Sequence, residues 1–392
     1  MGSTTGTQIV GQYMHPVVHQ NTKNDDPWQR NYFAPPQFKN LVPRTYPLID
    51  IRPSLSRPEY TPADLLKSHG FGVVKQSSAA LEQLFVDGDV SEHALADLYH
   101  PEIRQLVMKT TGAKSVFITA SVFRRGKRTP EAFKLPTGVG YMTSTAAADR
   151  SQQTEERENQ PAEKPAEKAQ ADKPADQTRL GQAAPVRTPH LDFTPLGARQ
   201  TIRFQKQDIY NTALESGVIA AEDRICENQP FRAPTEEADP LIAEQYNQKD
   251  KLGPRYAAYS IWRPLRKVER DPITLGPRRE SGSCDGEMVY WPYLNRIPGP
   301  AELGGDYLRQ YAMLGVKEEE RPSIPDGSEP LKWYYLPAQE PDEVLFIQLF
   351  DSASLGTNAQ HAGAPWHASP EIGAVEGDQP RESIDIRVLA FW

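Results

Sequence analysis

The chain has 392 residues, a formal net charge of -8 at pH 7 and an isoelectric point near 5.6, so no global basic field exists to hold nucleic acid or an anionic membrane. Its two cysteines, Cys226 and Cys284, are too few for a disulfide scaffold and suit a reducing compartment. With 36 prolines and a mean hydropathy of -0.63, long surface connections around a modest core are expected, with part of the chain disordered. The N-terminal stretch lacks the charged-then-apolar order of a secretory leader, and no apolar run reaches the length of a membrane span. A cytoplasmic protein with a small-molecule partner is therefore expected, its oligomeric state left open.

In chain order, residues 1–30 are expected to be disordered. Between Asn31 and Pro62 the prolines at 35, 36, 43, 47, 53, 58 and 62 each remove a backbone donor, so this stretch reads as an ordered arm, neither helix nor central strand. A short helix is predicted over Ala63–Ser68 and a strand over Gly70–Lys75. An amphipathic helical segment follows over Ser91–Lys109, where Leu95, Leu98, Ile103, Leu106 and Val107 recur at helical spacing. Pro101 splits it and Gly112 stops it. Ser115–Phe123 is β-branched and aromatic, a buried strand. The basic turn Arg124–Arg128 reads as a solvated loop.

Composition shifts at about 146–186, where Pro-Ala-Glu-Lys occurs twice in succession at 161–168. Such a segment buries too little apolar surface to offset its chain entropy and is expected to be a disordered insertion. Beyond it, Leu196–Phe204 shows no clear period and Lys206–Ala221 reads as helix. Strands are predicted over Tyr256–Leu265, Trp333–Leu336, Glu343–Asp351 and Ser383–Trp392, the last with Ile384, Ile386 and Val388 alternating against Ser383, Asp385 and Arg387. Short strands with long connections point to a mainly β fold with flanking helices. The expected architecture is a double-stranded β-helix, or jelly roll, forming one domain over 31–392 interrupted by the insertion.

The chemistry-bearing pattern is His190-Leu191-Asp192. Residues i and i+2 of an extended segment share a face, so His190 and Asp192 present two metal-compatible side chains together. A histidine from a later strand, with His361 and His367 both available, would complete a 2-His-1-carboxylate set that leaves positions open on iron(II). Arg263 beside Trp262 implies an anionic partner, and Tyr256, Tyr259, Trp262 and Arg263 read either as the wall of a pocket for a small acid or amino acid or as core. A zinc-dependent hydrolase and a non-catalytic cupin-like binding protein remain alternatives.

Four segments carry a resemblance: His190–Pro195, Tyr259–Leu265, Phe350–Ser352 and Pro380–Arg387. With these, the chain from about Ile49 to its C-terminus resembles the fungal AsaB-like hydroxylase/desaturase family, to which gibberellin desaturase and the bacterial CmcJ-like proteins are similar. The resemblance implies a non-haem iron(II)/2-oxoglutarate-dependent dioxygenase of secondary-metabolite biosynthesis, using dioxygen to take hydrogen from an unactivated C–H in hydroxylation, desaturation or oxidative cyclisation. It implies His190 and Asp192 as proximal ligands. Because the family's distal histidine tends to follow a proline closely, Pro365-Trp366-His367 is favoured over His361. The far carboxylate of 2-oxoglutarate needs a bidentate cation, a role that falls to Arg381 with Ser383 two residues on. Arg387, six residues further and roughly 20 Å away along a strand, is expected to form a salt bridge to an acidic neighbour on an adjacent strand.

Overall fold

The structure, a computed structural model, describes residues 9–18, 41–87, 91–125, 184–225, 253–277, 288–317, 331–355, 359, 361–373 and 379–392. The strands of these residues fall into two sheets. The smaller has the order β3 (Phe71–Lys75), β11 (Glu343–Asp351), β6 (Tyr256–Pro264), β13 (Ser383–Phe391), β4 (Ser115–Arg124), antiparallel throughout. Every residue of β11, β6 and β13 is buried, which is why these three read as near-continuous apolar runs.

The larger sheet runs β1 (Val10–Val18), β2 (Leu41–Asp50), β10 (Trp333–Tyr335), β7 (Thr274–Gly276), β12 (Trp366–Ala368), β5 (His190–Leu191), β9 (Tyr307–Lys317), β8 (Met288–Ile297). A further pairing of Val17 and Val18 with Val316 and Lys317 joins β1 back to β9 and closes seven of these strands into a ring. The ring encloses Tyr13, Leu48, Leu191, Leu314, Trp333 and Trp366.

Side-chain alternation decides what each face of the smaller sheet meets. On β6, Tyr256, Ala258 and Trp262 join the core between the sheets, while Ala257, Tyr259 and Ile261 point the other way. On β13, Leu389 and Phe391 face inward, and Ile384, Ile386, Val388 and Ala390 face outward. Helices cover that outer face. The first, α1 (Pro62–His69), begins with a capping box between Thr61 and Asp64 and ends at Gly70, φ 75°. Next come α2 (Ala79–Asp87) and α3 (His100–Thr111). Ahead of α3 and continuous with it lies a π-helical turn at Leu95–Tyr99; Pro101 sits in the first turn of α3 without splitting the helix, and Gly112 closes it at φ 76°, the stop that the sequence predicts. Leu84, Leu95, Tyr99, Ile103 and Val107 are all but fully buried against the sheet, and each such side chain contributes about 1.5–3 kcal/mol.

Several elements depart from expectation. Residues 10–18, expected within a disordered stretch, form β1; residues 1–8 and 19–30 lie outside the described residues. The proline-rich arm contains β2. Its prolines, Pro43 and Pro47, lie where β2 pairs with β1 alone, and the proline-free Leu48–Asp50 pairs with β10, so no ladder is asked for the missing donors. The long β8–β9 hairpin was not apparent in the sequence, because Pro292 interrupts β8; that strand is the sheet edge, where proline is tolerated. Residues 146–183 of the expected insertion lie outside the described residues. Its last part, 184–186, is ordered: the Ala184 carbonyl accepts from Arg124 and the Val186 carbonyl from the Ser369 amide.

Candidate iron centre

Two cross-strand neighbours make the centre. His190 on β5 lies opposite His367 on β12 in antiparallel register, and directly opposed residues share a face. Their imidazole centroids are 4.3 Å apart. Asp192 follows immediately where β5 ends. Its Oδ1 is 3.8 Å from His190 Nε2 and its Oδ2 3.5 Å from His367 Nε2, and one ligand atom from each of the three lies within 4.8 Å of the others.

The chain is stopped after Asp192 by a helix start. Thr194 Oγ1 accepts from the Gly197 amide, and Pro195 opens α4 (Pro195–Phe204). A Cβ on Gly197 would lie 2.1 Å from the Gln310 carbonyl oxygen of β9, so this helix can approach the sheet only with glycine there. The carboxylate is thus set between a two-residue strand and a capped helix. Leu196 to Arg203 are all buried, Arg199, Gln200, Thr201 and Arg203 among them, so the polar residues of α4 mark no solvent-facing stripe.

Each histidine turns Nε2 toward the centre by donating from Nδ1 to a backbone carbonyl, His190 to Thr188 at 2.8 Å and His367 to Pro365 at 3.4 Å. Burial, then the neighbouring His367, pulls His190 down to about 3, so it is neutral and its lone pair is available at pH 7. For Asp192, burial acts to raise the carboxyl's value, but Arg387, His367 and His190 together outweigh it and hold the group well below the usual range. Arg387 Nη2 lies 2.9 Å from Asp192 Oδ2. The expected adjacent-strand partner for Arg387 is therefore replaced by a carboxylate of the opposite sheet's β5–α4 turn, because inward parity on β13 aims the guanidinium across the core.

Arg381 sits just ahead of β13, buried, with Nη1 donating to the Asp271 carbonyl and to Ser369 Oγ, both at 2.7 Å. The Trp262 ring lies under its guanidinium, 5.2 Å from Cζ to centroid. Its Nε and Nη2, and the neighbouring Ser383 Oγ, are buried without a hydrogen-bond partner. Burial, followed by the nearby Arg124, draws Arg381 down to about 9, which still leaves it protonated at neutral pH. A buried guanidinium with one side of its fork unused is a receptor for an anion.

His190, His367, Trp262, Ser369, Asp385 and Arg387 line one common cavity. Tyr259 and Arg263 do not reach it. Both lie on the outward parity of β6, where Arg263 donates to Tyr99 Oη at 3.0 Å, to the Gln76 carbonyl at 2.6 Å and to the Pro341 carbonyl at 3.1 Å, with Glu102 at 3.7 Å. The anionic partner that Arg263 implied is this glutamate of the helical layer, and the substrate-contact expectation for Tyr259 and Arg263 is corrected. His361 is likewise elsewhere, 3.2 Å from Asp351 Oδ2. Ser369 and Asp271 carry no signal in the sequence; Asp385 and Arg387 are placed there on the phase of Ser383, but without their place beside Asp192.

The arrangement has known counterparts. Residues 18–219 and 306–391 match the family described as the oxidoreductase/YMDC permease-like domain. The chain belongs to this family. Among the described residues no helix is long and apolar enough to cross a membrane. The gibberellin cluster GA4 desaturase of Gibberella fujikuroi is 28% identical over 345 residues, 88% of this chain and 85% of that protein. Oxidoreductase chry3 of Gibberella zeae is 28% identical over 391 residues, 91% of each. The solved structure of the iron and alpha-ketoglutarate-dependent endoperoxidase NvfI covers 98% of this chain and 99% of its own at 17% identity with a TM-score of 0.51, a shared fold. With these relatives and the His-Asp-His group, the chain is an iron(II)/2-oxoglutarate-dependent oxygenase on a jelly roll.

Proposed function

We propose that His190, Asp192 and His367 hold the iron(II) and that Arg381 with Ser383 anchors the far carboxylate of 2-oxoglutarate. The observation behind this reading is the pairing, in one buried region, of a two-imidazole, one-carboxylate donor set with three orphaned donors, Arg381 Nε and Nη2 and Ser383 Oγ. The residues fit the groups. Two neutral imidazoles and one carboxylate suit iron(II) with open positions, and the guanidinium fork suits a carboxylate.

Iron with 2-oxoglutarate and dioxygen supplies an oxidant that removes hydrogen from an unactivated C–H. The protein's part is positioning. Nδ1 bonds to carbonyls fix both imidazoles, the capped turn fixes Asp192, and Trp262 shields the Arg381 anchor so that its charge acts in a dry site. The substrate class is a small secondary-metabolite precursor, an amino acid among the candidates, undergoing hydroxylation, desaturation or oxidative cyclisation. Relatives named desaturase, hydroxylase and endoperoxidase support that range. The reading includes a cytoplasmic location and no nucleic-acid or membrane partner.

Anaerobic addition of iron(II) and 2-oxoglutarate should give the weak visible charge-transfer band, and admission of air should release succinate. Product mass then separates a gain of one oxygen from a loss of two hydrogens. Activity with zinc alone would refute the proposal.

A further inference from the structure

The core behind Asp192 contains a chain of charged and polar side chains that neither the ligand set nor the 2-oxoglutarate anchor uses. On β13 and β6, Arg387 lies opposite Ser260 and Asp385 opposite Trp262. Ser260 Oγ donates to Asp385 Oδ1 at 2.5 Å, Asp385 Oδ2 is 3.5 Å from Arg387 Nε, and Arg387 Nη2 reaches Asp192 Oδ2 at 2.9 Å. The contact of Asp192 with Arg387 is shorter than its contacts with either histidine, 3.5 and 3.8 Å. All four residues are buried, between 3% and 6% exposed. A charge placed there is little screened by water.

The geometry points to Arg387 as a positioning residue of the iron site: anchored by Asp385 and Ser260, it claims Oδ2 of Asp192, presents Oδ1 to the metal, and by its fixed charge favours the ferrous over the ferric ion. The inference rests on His190, Asp192 and His367 being the ligands. Two consequences of removing Arg387 have the same sign. A nearby positive charge disappears, which stabilises the more highly charged ferric ion, and the released carboxylate becomes a stronger donor, which does so again. Removing the Asp385 charge has the opposite sign, because Arg387 then bears on Asp192 without a competing carboxylate.

The test is the ferric/ferrous potential of the iron-loaded protein, in which the iron exchanges one electron with a mediator at an electrode, measured for the wild type, Arg387→Met, Arg387→Lys and Asp385→Asn. Arg387→Met should shift the ferric-to-ferrous ratio at fixed potential at least about tenfold toward ferric, equivalent to a fall of about 59 mV for one electron. Arg387→Lys keeps the charge and should recover most of that shift, while Asp385→Asn should move the ratio toward ferrous. Thermal melting of the metal-free variants gives the independent measure of folding. Lower melting temperatures with an unchanged potential in Arg387→Met would overturn the role assigned to Arg387, as would a lysine variant that matches methionine. Should Arg387→Met not fold, Asp385→Asn decides it: a ratio moved toward ferrous supports the role, and an unchanged potential refutes it. Wild-type protein that fails to take up iron, or His190→Ala protein that takes it up equally well, would overturn the ligand assignment and this inference together. Iron uptake with an unmoved potential overturns only the inference.

Discussion

Replacing Arg381 with lysine tests the 2-oxoglutarate anchor most directly. The guanidinium spends Nη1 on the Asp271 carbonyl and Ser369 Oγ and keeps Nε and Nη2 for the anion. Lysine preserves the charge but gathers its donors on one nitrogen, so it cannot satisfy both protein acceptors and also present two parallel bonds to a carboxylate. Losing one charge-assisted bond, about 2 kcal/mol, predicts a roughly 30-fold weaker 2-oxoglutarate dissociation constant. Ser383→Ala, which removes one hydroxyl donor, should cost about 1 kcal/mol, or roughly 5-fold. Both are measured by anaerobic calorimetric titration of 2-oxoglutarate into cobalt(II)-loaded protein and checked by the 2-oxoglutarate dependence of succinate release. Cobalt uptake itself should not change. An Arg381→Lys protein that binds 2-oxoglutarate within about threefold of wild type, or whose defect lies in metal uptake, would refute the assignment.

Three other outcomes follow from named contacts. His190→Ala, Asp192→Ala and His367→Ala should each abolish succinate release and metal uptake, whereas His361→Ala, which loosens only the Asp351 cluster, should leave metal stoichiometry intact. Arg263→Met strands Glu102, Tyr99 and two backbone carbonyls and should cost about 3–5 kcal/mol in a denaturant titration with little change in substrate KM; a raised KM at undiminished stability would return Arg263 to the substrate pocket. His15, fully buried with Nδ1 on the Leu314 carbonyl, is drawn by burial to about 4. The unfolded chain accepts that proton from pH 6.5 downward and the folded chain refuses it, so stability is full above 6.5 and is lost as pH falls toward 4. Wild type should lose about 2 kcal/mol more than His15→Gln between pH 7 and pH 5, and equal losses would contradict the burial effect.

How much was legible follows from what each element asks of the sequence. Strands buried on both faces, β6, β11 and β13, declare themselves by unbroken apolar runs, and α3 by its helical spacing with Gly112 as its stop. The cluster of His190, Asp192 and His367 was legible in part, because His190 and Asp192 need only i, i+2 phase in an extended segment, whereas the choice of His367 came from the family resemblance. The elements that escaped notice obey tertiary demands that local pattern does not carry. The arm at 41–50 forms a strand although it contains Pro43 and Pro47, since only one side of that half is paired. The polar residues of α4, Arg199, Gln200, Thr201 and Arg203, are buried with its apolar ones, so they do not mark a solvent face.

The same reasoning explains why Arg387 meets a different partner from the one its place on a strand suggests. Even spacing puts Arg381, Ser383, Asp385 and Arg387 on one phase, and distance along the strand keeps Arg387 from the carboxylate that Arg381 would hold. Neither fact says what faces that phase across the core. An adjacent strand was the natural guess, because ladder neighbours are the nearest residues a strand reading supplies. In a jelly roll the inward phase of one sheet looks at the other sheet, and β5 ends directly opposite β13, so the carboxylate that Arg387 meets is the one beside His190. Along β13 and the residues just ahead of it, then, inward phase and depth set Arg381 against the Asp271 carbonyl and Ser369 and Arg387 against the carboxylate of Asp192. Exchanging the roles should fail in both directions, since neither guanidinium can reach the other's partner without moving the strand that holds the core together.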